Sequence, residues 1–206
     1  MEYLDYYNEN GDYLGKETRE FVHENGLWHK TIHCWLYDKK GNVFFQIRQD
    51  SKKLYTTASG HISAGETLKI GFAREIFEET GLHINVEDAQ MIEMCIWKMD
   101  KKKEGKILKD RVFANVYMCE FNGDMAEFNI DTVELAGIVK VNAEKTLDVL
   151  RKESGEISCQ ILTFENNQKK TKDSTVAFED FLVNPGEIAL IKYGRILQSI
   201  IAQTEK

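Results

Sequence analysis

Apolar and polar positions alternate with two different periods along this chain, and the change of period marks its elements. Residues 3–7 and 12–16 flank the turn Asn8-Glu9-Asn10-Gly11-Asp12 and read as a short N-terminal hairpin. Trp28 to Tyr37 and Val43 to Arg48 are rich in β-branched and aromatic residues, and Asp38–Asn42 between them reads as a turn, giving a second hairpin. From Thr67 to Thr80 the period becomes helical: Leu68, Phe72 and Ile76 share one stripe with Ala73 and Phe77 beside it, and Gly81 stands where a left-handed cap ends a helix. Two long strands are expected next, His83–Met99, interrupted near 86–88, and Ile107–Phe121, with the charged run Asp100–Lys106 between them as an exposed turn. Val133–Val141 predicts a strand, Ala143–Lys152 a helix, and Ile157–Phe164 with Lys170–Ala177 a hairpin across residues 165–168. An amphipathic helix from Pro185 to Thr204 closes the chain, with Pro185 suited to its first turn. Strands before and after a central helix, with further helices at the end, predict an α/β (α+β) fold: a mixed β-sheet sandwiched between helices.

Bulk composition narrows the class. At 206 residues, 42% hydrophobic and 30% charged, the chain has an ordinary globular balance. It reads as one domain, with residues 1–25 as an N-terminal hairpin extension and 142–206 as a C-terminal αββα-like extension. No run approaches the roughly 18 apolar residues of a membrane span, and the acidic start is unlike a secretory signal. A net charge of −7 argues against nucleic-acid binding. It leaves room for a small nucleotide held by local cations and a metal. Cys34, Cys95, Cys119 and Cys159 are far apart with no C-x-x-C pair, as expected for reduced structural thiols in the cytoplasm.

The chemistry concentrates in residues 60–82. Glu75, Glu78 and Glu79 lie at i, i+3 and i+4, so a helix brings all three to one face. Like charges at that spacing repel, and folding alone gives no reason for them. A solvated acidic face is one reading; a divalent cation with hard oxygen ligands, Mg²⁺ or Mn²⁺, is the other. Arg74 stands one turn before Glu78 and can orient it. Gly60 and Gly65 bracket a loop whose backbone can approach a ligand closely.

Read as a whole, glycine, five residues, glutamate, seven residues, then Arg-Glu-apolar-x-Glu-Glu-x-Gly-apolar, this segment resembles the Nudix box with every defined position filled. The resemblance implies a Nudix fold and a Mg²⁺-dependent hydrolase that cleaves a diphosphate bond of a nucleotide or a nucleoside-diphosphate-linked small molecule by water attack on phosphorus. It implies that Glu75, Glu78 and Glu79 bind the metal, that Gly60 adds its carbonyl, that Arg74 holds the glutamates, and that Glu66 has a supporting role. An acid outside the box is expected to act as ligand or base; Glu134 is the candidate, against a solvated strand-end carboxylate. A homodimer is compatible with such a chain.

Beyond the box, Leu27–Tyr37, Gln46–Lys53 and Ala58–His61 look like the isopentenyl-diphosphate isomerase branch. That resemblance implies a second metal at positions matching His23, His29 and His61, and a diphosphate contact at Arg48, with Ser51, Lys52 and Lys53 nearby. Two departures weigh against isomerisation. Ser59 stands where the isomerase has a cysteine, and Lys109 and Arg111 align with its acid pair, flanking Asp110. The histidines then have two readings: a remnant metal site, or His61 lining the phosphate end while His23 and His29 make structural hydrogen bonds. His33 and His83 read as packing residues. Trp28, Trp35, Tyr55 and Phe113 read as a stacking surface or as core. The competing functions are the hydrolase, the isomerase and a non-catalytic Nudix-fold binding module. Substrate walls are expected from residues 98–106 and 153–175.

Overall fold

A computed structural model describes residues 1–103, 106–153, 155–165, 168–182 and 187–205. Among them, eleven strands join one mixed sheet. Its centre is β3 (Trp28–Tyr37), an apolar run buried over nearly its whole length. On one side β3 runs parallel to β8 (Lys106–Glu120), from Trp28 beside Arg111 to Tyr37 beside Glu120. Outside β8 lies its antiparallel partner β7 (Ala89–Lys103). On the other side β3 meets β4 (Asn42–Arg48) only at Leu36–Phe44 and Tyr37–Val43. The two strands then part, and the short strands β5 (Leu54–Tyr55) and β6 (Ala58–His61) fill the gap, β5 on β4 and β6 on β3. Beyond β4 follow β9 (Leu135–Asn142), β10 (Glu156–Glu165) and the edge strand β11 (Gln168–Ala177). The hairpin of β1 (Tyr3–Tyr7) and β2 (Tyr13–Thr18) attaches through Tyr7 beside Trp28.

Both faces are covered. Helix α2 (Leu68–Thr80) sends Phe72 and Ile76 into one layer with Ile32, Cys34, Phe44, Ala58 and Tyr117. Helices α3 (Ala143–Lys152) and α4 (Glu187–Thr204) cover the other face, where Leu147, Leu150, Leu197 and Ile200 meet Trp35, Phe45, Val116 and Val139. This is the mixed-sheet, helix-flanked architecture expected from the alternation of periods. Among the described residues, no helix is long and apolar enough to cross a membrane.

Three local expectations are corrected. The N-terminal extension is not only a hairpin: Arg19–Asn25 forms helix α1, capped by Thr18, whose hydroxyl accepts from Phe21 N, and closed by Gly26 at φ 64°. Seven residues are too few for a helical period to stand out, although the capping threonine and the glycine were legible signals. Second, the charged run 100–106 is mostly strand. β7 continues to Lys103 and β8 starts at Lys106, so the ribbon runs on past the start of β3, where among the described residues the two strands pair only with each other and polar residues do not mark a turn. Third, the interruption expected near 86–88 is a 3₁₀ turn at Val86–Asp88, but residues 83–85 before it are not strand, and β7 begins only at Ala89. The expectation for Pro185 falls outside the described residues.

Phe72 is fully buried and meets Tyr117 edge-on at 5.0 Å, fixing α2 on the sheet. Phe72→Ala is expected to cost roughly 3–5 kcal/mol, read as a lower midpoint of urea unfolding with an unchanged slope.

Candidate active site

The site begins with the ends of α2. Thr67 caps its N-terminus, accepting from Ile70 N at 3.3 Å, and Gly81 closes it at φ 72°. The loop between β6 and α2 is pinned from outside by β1: Ala64 N donates to Tyr3 O at 2.8 Å and Gly65 N to the Asp5 carboxylate at 2.9 Å. It is pinned from inside by Arg74. The guanidinium grips Glu66 with two hydrogen bonds, Nε to Oε1 at 2.8 Å and Nη2 to Oε2 at 2.7 Å, and Nη2 also reaches His61 O at 2.9 Å. Its remaining nitrogen, Nη1, donates to both Glu75 Oε1 at 2.7 Å and Glu78 Oε2 at 2.9 Å. The Glu66 hydrogen bonds, with further help from Glu75 and Glu78, raise the Arg74 pKa still further, and Arg74 in turn holds Glu66 below the usual carboxylate range.

Each of the three glutamates is thereby held by one oxygen. Glu75 gives Oε1 to Arg74, Glu78 gives Oε2 to the same nitrogen, and Glu79 accepts Ser59 N at 2.7 Å and Gln46 Nε2 at 3.4 Å, both on Oε2. The other oxygen of each carboxylate takes no part in these bonds. Burial distinguishes the three: Glu78 is exposed, Glu75 is largely covered, and Glu79 is buried. Burial pushes Glu75 up to about 7, opposed by Arg74, and pushes Glu79 well above the ordinary carboxylate range, opposed by Ser59 N. Buried carboxylates with an unused oxygen favour a cation, which restores the charge balance that desolvation removes. Gly60 belongs to this arrangement: a Cβ there would lie 1.9 Å from Glu75 Oε2, so only a glycine leaves the carboxylate its place.

The remaining expected residues divide. Glu134 precedes β9 in a turn closed by its own N–H to Asp131 O, exposed, with its charge felt at Glu79. Arg48 pairs with Asp50 at 3.1 Å and lies 5.9 Å over the Tyr55 ring. Its charge is also felt at Glu79. Lys53 is not brought to the glutamates; its ammonium donates to Glu179 O. Trp28 and Phe113 stack on each other at 4.9 Å and Trp35 is core, leaving Tyr55 beside the site, its hydroxyl 3.3 Å from His33 Nδ1. His83 stacks on Phe77.

His23, His29 and His61 do converge, with one ligand atom of each within 4.8 Å of the others. His23 Nδ1 lies 2.7 Å from Arg19 O and His29 Nδ1 3.0 Å from Leu27 O, so the structural hydrogen bonds and the convergence coexist. Burial lowers His29 to about 4 and His61 well below its usual value, keeping both rings neutral, the form that ligates metals. The expectation that Lys109 and Arg111 occupy the place of an acid is corrected. Strand alternation turns them away, Arg111 pairing with Asp100 at 2.7 Å, while Asp110 faces the cluster, Oδ1 3.5 Å from His29 Nε2. Both of those atoms are buried without a hydrogen-bond partner. This set can hold a cation of its own. Sequence reasoning missed Asp110 by one position in register, and missed Gln46, whose signal was an amide inside the apolar run of β4.

Gly60→Ala is expected to weaken Mn²⁺ binding by about ten-fold or more, because the displaced Glu75 loses its place; calorimetric titration checks this, with an unchanged far-UV circular dichroism spectrum showing that the fold persists.

Comparisons with known proteins bear on the family and the fold. Residues 27–160 match the model of the NUDIX domain family. An uncharacterized Nudix hydrolase of Clostridium acetobutylicum is 32% identical over 152 residues, spanning 70% of this chain and 71% of the relative. Nudix hydrolase 3 of Arabidopsis thaliana is 25% identical over 161 residues, of which the match covers 21% of its own length. In three dimensions, a crystal structure from Deinococcus radiodurans aligns with TM-score 0.53 over 73% of this chain and 89% of its own, at 16% identity, a likeness of fold alone. The match over most of the chain, together with a box that is intact in sequence and assembled in space, makes this protein a member of the Nudix hydrolase family.

Proposed function

We propose that this enzyme is a Mg²⁺-dependent pyrophosphohydrolase that cleaves a phosphoanhydride bond in a nucleotide or nucleoside-diphosphate-linked small molecule, in the cytoplasm. One observation carries the reading: Glu75, Glu78 and Glu79 are each fixed through one oxygen and keep the other uncommitted, beside a Gly60 whose missing Cβ leaves room over Glu75. The donor set is all oxygen, which suits a hard divalent cation, with Mn²⁺ as a substitute. Glu75, Glu78, Glu79 and the Gly60 carbonyl would hold it. Such a cation neutralises a diphosphate and makes water more acidic when bound.

The chain's own groups supply the rest. Arg74 keeps the carboxylates in register without entering the reaction, so its loss is a loss of order rather than of chemistry. Glu134 and Arg48, whose charges are felt at Glu79, are assigned to proton acceptance from water and to the diphosphate, respectively. His61, whose backbone carbonyl is held by Arg74, lines the phosphate end.

A second reading has one observation in its favour: Asp110 restores a carboxylate to the histidine cluster, which suits proton transfer at carbon in an isoprenoid diphosphate. Ser59 opposes it, since a hydroxyl is a far poorer proton donor than a thiol.

A phosphate-release screen with Mg²⁺ over nucleoside di- and triphosphates, sugar nucleotides, dinucleotides and isoprenoid diphosphates tests both. The expected result is metal-dependent release with at least one nucleotide class and a kcat reduced by about 100-fold or more in Glu78→Gln. Equal turnover by the variant, or no metal-dependent product from any compound, defeats the hydrolase. Conversion of isopentenyl diphosphate to its allylic isomer establishes the second reading instead.

A further inference from the structure

Strand β4 reads Asn42-Val-Phe-Phe-Gln-Ile-Arg48, and its alternation sends Val43 and Phe45 toward α3 and α4 while Phe44 joins the layer under α2. Gln46 shares the Phe44 face and is fully buried. An amide in such a layer stabilises the fold only if both ends are satisfied. Here Oε1 is buried with no partner, and Nε2 has a single acceptor, Glu79 Oε2 at 3.4 Å. Packing therefore gives no reason for a glutamine at this position.

The direction of the one bond gives a reason. Ser59 N, from β6, already donates to Glu79 Oε2 at 2.7 Å. Gln46, from β4 across the gap where β3 and β4 part, donates to the same oxygen. Two donors from two strands on one oxygen fix both the position and the plane of the carboxylate, and leave Oε1 uncommitted. An amide, unlike a lysine or arginine, orients the carboxylate without placing a competing positive charge beside the cation. Arg74 serves Glu75 and Glu78, but none of its hydrogen bonds reaches Glu79.

We propose that Gln46 is a positioning residue that aims Glu79 Oε1 at the cation site, acting through Glu79 and not on substrate. The inference rests on the reading of Glu79 as a cation ligand. Mn²⁺ titration by calorimetry of the full chain tests it, comparing wild type with Gln46→Met, Gln46→Asn and Glu79→Gln, alongside urea unfolding in metal-free buffer. Gln46→Met keeps the volume and removes the donor; Gln46→Asn keeps an amide one methylene too short, and carries the test if the methionine variant does not fold. Both are expected to bind Mn²⁺ about ten-fold more weakly, while the Gln46→Met midpoint in urea equals or exceeds that of wild type. The double variant Gln46→Met/Glu79→Gln is expected to bind no more weakly than Glu79→Gln alone. Unchanged affinity in both Gln46 variants, with Glu79→Gln impaired, overturns the role of Gln46 and leaves Glu79 a ligand. Unchanged affinity in Glu79→Gln overturns both. A lower urea midpoint in Gln46→Met with wild-type affinity shows a structural amide instead, which also overturns it.

Discussion

Arg74 is the interaction on which the site depends. A helix that places three glutamates on one face repels itself, and two of them are also largely withdrawn from water, which adds a desolvation cost. One guanidinium offsets much of this, because its planar fork has enough donors to serve the loop and the helix together. It binds Glu66 and the His61 carbonyl on one side and Glu75 and Glu78 on the other, making the β6–α2 loop and the helix one rigid unit. Lysine, a single compact charge, has no such geometry.

The sheet supplies what Arg74 does not. A continuous ladder between β3 and β4 would leave no room at its centre for polar side chains. Because the strands pair only at Leu36–Phe44 and Tyr37–Val43 and then diverge, β6 enters with Gly60 and the Ser59 amide, and Gln46 turns from β4 toward Glu79. The third glutamate is thus organised by backbone and amide rather than by charge. His29 and His33 of β3 are buried, and each meets a group from another strand: His29 lies near Asp110 of β8 and His33 near the Tyr55 hydroxyl of β5.

Several of these features run against stability. Glu79, His29, Asp110 and Gln46 are buried or partly buried polar groups, three of them with an atom that has no partner. Such groups recur where a ligand is meant to complete the set, and local rules of folding are broken most often at functional sites. The apolar layers around Phe72 and around Leu197 and Ile200 carry the fold, and the polar seam between strands carries the chemistry.

Whatever depends on neighbours along the chain was legible before any folding was known. Helix α2, its caps and the shared face of Glu75, Glu78 and Glu79 follow from spacing at 3.6 residues per turn, and the strands with apolar alternation follow from a period of two. That reading failed where the period was too short to read, as in α1, and where a ribbon ran on past the start of β3 and polar residues did not mark a turn, as in β7 and β8 beyond Asp100. Which side chains meet across strands is set by register and topology, which no local spacing encodes. A shift of one residue reverses the face of a strand, so Lys109 and Arg111 could stand for Asp110 in a linear comparison and point the opposite way in space. The partners of Glu79, drawn from β4 and β6, were equally invisible in the sequence, since Gln46 and Ser59 are joined to it by the parting of two strands and not by any spacing.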